Sequence, residues 1–125
     1  MQVELVSPER ILWSGEADMV IARTTDGEIA FLNNHAPFVG ALGIGAVTVV
    51  ETGGGRNAFA VHGGFVEVSH NRVTILSDVA ELVSDIDVAR ARDAQARAES
   101  AYRADPTPDN DAALRRANLR LSLAS

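Results

Sequence analysis

A carboxylate and an imidazole stand in one short stretch, Gly27 to Pro37, where Glu28 opens a predicted strand and His35 follows it. Asn33-Asn34 tolerates left-handed backbone angles, and Pro37 fixes φ just beyond the histidine. We therefore expect this loop to hold both groups in a fixed place at one end of a sheet. An enzyme using His35 with Glu28 is one interpretation. However, no nucleophile or cofactor motif accompanies the pair, and a loop histidine is more often a hydrogen-bonded turn residue.

A second polar group stands further along the chain, at the start of a predicted helix. Asp87 and Arg90 are one helical turn apart, a spacing that fits a surface ion pair combined with helix capping. Asp85 with Asp87 is interpreted as capping rather than as an acid–base pair.

The composition argues against several classes of function. The absence of cysteine excludes disulfides, zinc–thiolate sites and thiol nucleophiles. The three histidines, at positions 35, 62 and 70, are not spaced like helical metal ligands, so no metal site is expected. A net charge of −6 argues against nucleic-acid binding. The chain starts with a strand pattern, and no run approaches the ~18 apolar residues of a membrane span, so a soluble cytoplasmic protein is the default expectation.

Two domains are predicted from a change of composition near Ser84. All ten glycines lie in residues 1–84, whereas residues 85–125 are rich in alanine and arginine. Glycine with β-branched residues is typical of strands and tight turns, and alanine without glycine is typical of helices. The sequence therefore predicts a β domain over residues 1–84 and a helical domain over residues 85–125.

The first domain is predicted to be an antiparallel β-sandwich of about ten short strands. Glu16 to Thr24 alternates in polarity, as a half-buried strand does. Phe38–Leu42 and Ala46–Glu51 are predicted as separate strands, and so are Arg56–Val61 and Phe65–Val68. Such density and spacing of short strands favour a sandwich over a parallel sheet.

The second domain is predicted to be an antiparallel helical hairpin. Its first helix runs from about Asp85 to Ala104, with Ser84 and Asp87 resembling a capping box. Thr107 is expected to cap the second helix, with Pro108 in its first position. The facing stripes are mostly alanine, which buries little apolar area. The hairpin could therefore leave a docked position; the alternative is a solvated hairpin that never moves.

Several short motifs, in order and at the right spacing, carry a family resemblance over most of residues 1–91. They are Gly27-Glu28-Ile29 with Asn34-His35-Ala36-Pro37, then Gly63-Gly64-Phe65-Val66-Glu67-Val68, Val73 to Asp78, Ala80-Glu81 and Asp85-Ile86-Asp87. The chain resembles the epsilon subunit of the bacterial F-type ATP synthase. The alternative is an unrelated β-sandwich binding module whose hairpin docks on a partner helix.

The resemblance implies a non-catalytic subunit of the rotating central stalk, which takes part in proton-driven ATP synthesis. Its sandwich would pack on the gamma subunit and touch the ring of c subunits. The loop with Glu28 and His35 would face that ring. The subunit would lie at the cytoplasmic face of the cell membrane, attached through the complex without inserting. No cofactor is required.

The resemblance also implies a regulatory tail. Some family members bind ATP through the pattern that Ile86-Asp87-Val88-Ala89-Arg90-Ala91 matches here. The residues implied for ATP are Glu81, Ile86, Asp87, Arg90, Ala91 and Arg97. By that resemblance Arg90, one helical turn after Asp87, would reach a phosphate or a sugar while Asp87 orients it; the alternative is a surface ion pair with capping. In the family an extended C-terminal helix can also inhibit hydrolysis by meeting an acidic segment of the catalytic subunits, here the beta subunits. Arg115, Arg116 and Arg120 could make that contact; the alternative is that they only solubilise the helix.

Overall fold

The computed structural model describes residues 1–124, which form seven strands, a short 3-10 helix and two α-helices. The strands are β1 (Gln2–Val6), β2 (Ile11–Thr24), β3 (Gly27–Leu32), β4 (Phe38–Glu51), β5 (Arg56–Ser69), β6 (Arg72–Leu76) and β7 (Ala80–Leu82). The 3-10 helix is Val83–Asp85, and the α-helices are α1 (Val88–Ala104) and α2 (Pro108–Ala124). The last described strand thus ends at Leu82 and the first α-helix begins at Val88.

The strands form a sheet that closes on itself. Their order is β1-β6-β5-β4-β2-β3, β7 pairs with β5, and β1 also pairs with β2. The pairing of β1 with β6 is parallel, and every other pairing given for residues 1–124 is antiparallel. The result is the predicted sandwich, closed at its sides like a flattened barrel, which leaves few open strand edges.

The number of strands is lower than the predicted ten because several predicted short strands are parts of long ones. Phe38–Leu42 and Ala46–Glu51 lie in β4, and Arg56–Val61 and Phe65–Val68 lie in β5. Gly63 and Gly64 have φ of 89° and 124°, which bends β5 without ending its pairing with β4. Glycine in a strand often marks such a bend, so the predicted gap between Val61 and Phe65 is a bend within one strand.

The hydrophobic core lies entirely within the β domain. Alternate side chains of the strands point inward, and the largest fully buried ones are Phe31, Phe59, Leu5 and Ile75. Trp13 packs against the cluster and forms an edge-to-face pair with Phe59, at a centroid distance of 6.4 Å. Among the described residues, no member of this cluster lies beyond Leu82. The β domain therefore has a core of its own.

The helix caps agree with the sequence for α2 and differ for α1. The backbone N–H of Asn110 donates to Thr107 Oγ1 at 3.1 Å, so Thr107 caps α2 as predicted. The prediction that α1 starts near Asp85 with Ser84 as its cap is wrong. Asp87 is the N-cap and accepts a hydrogen bond from the backbone N–H of Arg90 at 3.1 Å. Ser84 cannot cap α1 because it lies within the 3-10 helix of residues 83–85, which ends before α1 begins.

The two helices pack on each other through small side chains. Their buried residues are Ala91, Ala98 and Ala117, and Gln95 donates to Asn118 across the pair at 2.8 Å. The second helix also contacts β4, β5 and the 3-10 helix. Within residues 1–124, neither helix is both long enough and apolar enough to cross a membrane.

Candidate functional site

A cleft of about 360 Å³ opens where the end of the β domain meets both helices. Strand β7 and the 3-10 helix form one wall, the first turns of α1 form another, and α2 closes the side. Its lining residues are Glu81, Asp85, Ile86, Asp87, Arg90, Ala91, Ala94, Arg97 and Arg120. A volume in this range is typical of small-molecule sites.

The structure brings all six residues implied for ATP into this one cleft and adds Arg120 to them. Asp85 and Ala94 also line it and were not predicted as site residues. Ala94 could have been found from its spacing, because it lies four residues after Arg90 on the same helical face. Asp85 was interpreted only as a helix cap.

Arg120 is held in the cleft by Glu81. Its Nε–H donates to Glu81 Oε1 at 2.6 Å, with the two side chains 25% and 32% exposed. Burial raises the pKa of Glu81, but hydrogen bonds from Arg120 and His62 outweigh it, and the pKa lies below its ordinary value. Glu81 therefore stays ionised at neutral pH and ties α2 to β7.

His62 contacts the same carboxylate oxygen of Glu81 that Arg120 contacts. Its side chain is 2% exposed, and Nε2 lies 3.2 Å from Glu81 Oε1. Burial is the largest cause that lowers its pKa, and the charges of Arg120 and Arg116 lower it further. No pattern in the sequence predicts this contact, because residues 62, 81 and 120 are brought together only by the fold.

The formal charges of the side chains that line the cleft balance. Arg90, Arg97 and Arg120 face the carboxylates of Glu81, Asp85 and Asp87. The cleft includes the N-terminus of α1, where the helix dipole favours an anion. Asp87 already occupies the cap position, so an anion there must share the site with a carboxylate. The arrangement suits a phosphate ligand of modest affinity.

The three arginines of α2 do not form one basic patch. Arg115 is 56% exposed, lies 4.0 Å from Asp111, and lines a separate cleft of about 450 Å³ together with Arg23. Arg116 lies near enough to His62 for its charge to act on that ring. Arg120 is engaged by Glu81. A common contact with an acidic segment therefore requires α2 to leave this position.

Glu28 and His35 lie at opposite ends of β3, so the expectation that one loop holds both is wrong. Glu28 stands next to the turn between β2 and β3 and pairs in register with Arg23. His35 follows the other end of the strand. An extended strand rises about 3.3 Å per residue, which puts Glu28 roughly 13 Å from the strand end at Leu32. This separation removes the basis for an enzyme that uses the two together.

The loop around His35 is fixed as predicted. Asn34 has φ of 62°, and its backbone N–H donates to Asn71 Oδ1 at 2.8 Å. The rings of His35 and Phe31 form a T-shaped pair with centroids 5.0 Å apart, and Nδ1 of His35 lies 2.7 Å from the carbonyl oxygen of Ala36. Because a carbonyl only accepts, Nδ1 is the donor.

Comparison with known proteins decides the family. The family model for the ATP synthase, Delta/Epsilon chain, beta-sandwich domain matches residues 1–83. An ATP synthase epsilon chain of Streptomyces griseus is 43% identical over 97% of this chain and 92% of its own length. The chain belongs to the ATP synthase epsilon chains. The alternative of an unrelated sandwich module is therefore wrong.

Further relatives of this family agree in sequence and in fold. An epsilon chain of Brevibacillus brevis is 50% identical over 79% of this chain and 75% of its own. In fold, a chain of the Euglena gracilis mitochondrial ATP synthase, solved with its OSCP, F1 and c-ring, matches with a TM-score of 0.70 and 23% identity, over 95% of this chain and 73% of that one. A chain of the Tetrahymena thermophila mitochondrial central stalk and c-ring gives 0.60 and 17%, over 100% and 96%. The epsilon chain is a non-catalytic subunit of the synthase.

Proposed function

We propose that this epsilon chain is a stalk subunit whose β domain docks on its partners and whose hairpin is a releasable regulatory element. The observation that carries the proposal is the position of the hydrophobic core. Within residues 1–124 its cluster takes no side chain from the helices, whose own buried residues are three alanines. The β domain therefore keeps its core whether the hairpin is docked or not.

The outer face of the sheet offers a docking surface for the stalk. Register places Val6, Leu76, Phe65 and Ala41 side by side on neighbouring strands. We call these four residues the apolar row. Phe65 is 59% exposed and Leu76 is 44% exposed, and Val39 on the next row is 73% exposed. Contiguous exposed apolar groups of this kind are typical of protein interfaces. We assign this face to the gamma subunit.

The c-ring contact is assigned to Glu28 and His35, now as two separate contacts. A partly exposed polar pair contributes about 0–1 kcal/mol, so each sets the orientation of the ring more than its affinity. Single substitutions Glu28→Ala and His35→Ala therefore test the two ends of β3 independently. If coupled proton pumping is unchanged in both single variants and in the double variant, this assignment is wrong.

ATP is proposed as the regulatory ligand of the cleft. Support comes from the convergence of the motif residues with Arg120 in a space of about 360 Å³. The phosphates would compete with Glu81 for the Arg120 guanidinium, so binding and the position of α2 would be coupled. Charge balance in the cleft argues for weak binding.

Inhibition of hydrolysis is proposed for the released hairpin. Arg116 and Arg120 would then leave His62 and Glu81, Arg115 would keep its neighbour Asp111 on the same helix, and the three could face an acidic segment of the catalytic beta subunits. The setting proposed for this switch is the cytoplasmic face of the cell membrane, reached through the complex.

The experiment is deletion of residues 105–125 in the assembled complex. We expect ATP hydrolysis to rise while proton-driven synthesis persists, because the β domain keeps its core and its docking face. The neutralising triple variant Arg115→Gln, Arg116→Gln and Arg120→Gln serves as the charge control and should raise hydrolysis too. Unchanged hydrolysis in the deletion variant would remove the inhibitory role.

A further inference from the structure

A buried histidine lies under α2 at the point where the hairpin is tied to the sheet. The His62 side chain is 2% exposed, and α2 packs on β4 and β5 around it. The contact that ties the helix down, Arg120 Nε to Glu81 Oε1 at 2.6 Å, uses the same oxygen that faces His62 Nε2 at 3.2 Å. A change in the protonation of His62 therefore acts directly on the contact between Glu81 and Arg120 that docks the helix.

The hydrogen bonds fix the tautomer of the ring. An ionised carboxylate only accepts, so Nε2 carries the hydrogen that points to Glu81. Nδ1 is then a bare acceptor, and within residues 1–124 it is a buried atom that has no hydrogen-bond partner. A second proton would have to sit on Nδ1, where a new buried N–H would find no acceptor among those residues.

The charges around the ring also oppose a second proton. Glu81 on β7 favours it, but that carboxylate already faces Arg120. Arg116 and Arg120 on α2 both oppose it. On β4 the residue paired with His62 is Ile44, which does not titrate. Asp85 of the 3-10 helix lines the same cleft as Glu81 and Arg120.

We propose that His62 is a pH-sensitive latch: the docked hairpin requires the neutral ring, and protonation of His62 releases α2 from the β domain. When α2 leaves, Arg116 and Arg120 move away and water reaches both ring nitrogens. The released state therefore accepts the proton that the docked state rejects. The proposal rests on the proposed function in taking the hairpin to be releasable, and it needs no nucleotide.

The direction of the effect follows from the two states. The pKa of His62 is lowered below its ordinary 6.5 in the docked state, with burial as the main cause. In the released state the ring is solvated and titrates near the ordinary value. Docking is therefore fully favoured above pH 6.5 and is lost as the pH falls below it. One proton can change the ratio of released to docked chain by at most about tenfold per pH unit.

Distance measurement on the full chain tests the latch. The chain has no cysteine, so Thr52→Cys in the β4–β5 turn and Ser122→Cys on α2 carry a unique pair of spin labels. Without nucleotide, we expect the released fraction to rise several-fold, up to about tenfold, from pH 7.5 to 5.5. His62→Gln keeps a donor towards Glu81 but cannot titrate, so its distances should not change with pH.

Two controls make the test specific. His70→Asn removes an exposed imidazole at a left-handed turn position that Asn tolerates, and it should behave as the parent does. Arg116→Gln removes one opposing charge, so it should flatten the pH dependence and raise the pKa of His62 measured by NMR. That NMR titration of the unsubstituted chain decides the matter if His62→Gln fails to fold.

Three results would overturn the latch. They are a released fraction that does not change with pH, a pH dependence that survives His62→Gln, and a His62 pKa at or above 6.5. If the hairpin stays docked at every pH while deletion of residues 105–125 still raises hydrolysis, the latch is wrong and the proposed function stands.

Discussion

At the residue scale, the cleft depends on a few charged side chains contributed by three parts of the chain. The local part could be predicted: Ile86, Asp87, Arg90 and Ala91 stand together in sequence, and the motif found them. The long-range part could not be predicted. His62 reaches Glu81 only because β5 pairs with β7, and Arg120 reaches it only because α2 docks on the β domain. Periodicity carries no information on such contacts.

The first prediction at this scale concerns ATP binding by the isolated chain. Arg90→Ala removes a guanidinium from the cleft, and a charge-assisted hydrogen bond to phosphate contributes about 1.5–3 kcal/mol. We therefore expect the ATP dissociation constant to rise about tenfold to a hundredfold in isothermal titration.

Arg92→Ala is the matched control. Arg92 lies on the same helix and is exposed, but it is not among the residues that line the cleft, so its loss should change ATP binding little. Equal losses in both variants would mean that only net charge matters. No heat with the parent chain at millimolar ATP would end the nucleotide proposal.

At the element scale, the type of each element was predictable and its length was not. Alternation identified β2, but β4 and β5 were each predicted as two shorter strands with glycines between them, which contributed to a count of about ten strands instead of seven. The predicted cap of α1 was also misplaced. Residues 83–85 form a 3-10 helix, and local propensity did not distinguish this short helix from the α-helix that follows it.

Gly64 provides the stability prediction at this scale. It has φ of 124°, and an added Cβ would collide with the backbone carbonyl oxygen of Leu76 on β6. Neither backbone can move without breaking the pairing of β5 with β6. We expect Gly64→Ala to destabilise the β domain by about 3 kcal/mol in urea unfolding followed by Trp13 fluorescence.

Gly43→Ala is the control for this prediction. Gly43 lies in β4, has no heavy atom within 4 Å of an added Cβ, and does not have a left-handed φ. The free energy of unfolding of the Gly43→Ala variant should differ from that of the parent chain by no more than about 0.5 kcal/mol. A Gly64→Ala variant as stable as Gly43→Ala would show that the close approach of β5 and β6 is not as described.

At the scale of the whole molecule, the chain divides into a β domain with a closed core and a hairpin that covers part of its surface. Composition alone predicted that division, because glycine disappears and alanine takes over near Ser84. The sequence could not specify where the hairpin lies on the sheet. That position is fixed by a few contacts, of which Arg120 with Glu81 is the shortest ion pair given for the described residues.

The most direct test of the account is whether the β domain alone restores coupling. A synthase complex depleted of its epsilon chain would be reconstituted with residues 1–87, and ATP-driven proton pumping would be measured against the full chain. We predict that residues 1–87 restore pumping to the level of the full chain, because the core and the docking face both lie within them. A folded fragment that does not restore pumping would contradict the account, and so would a fragment that does not fold.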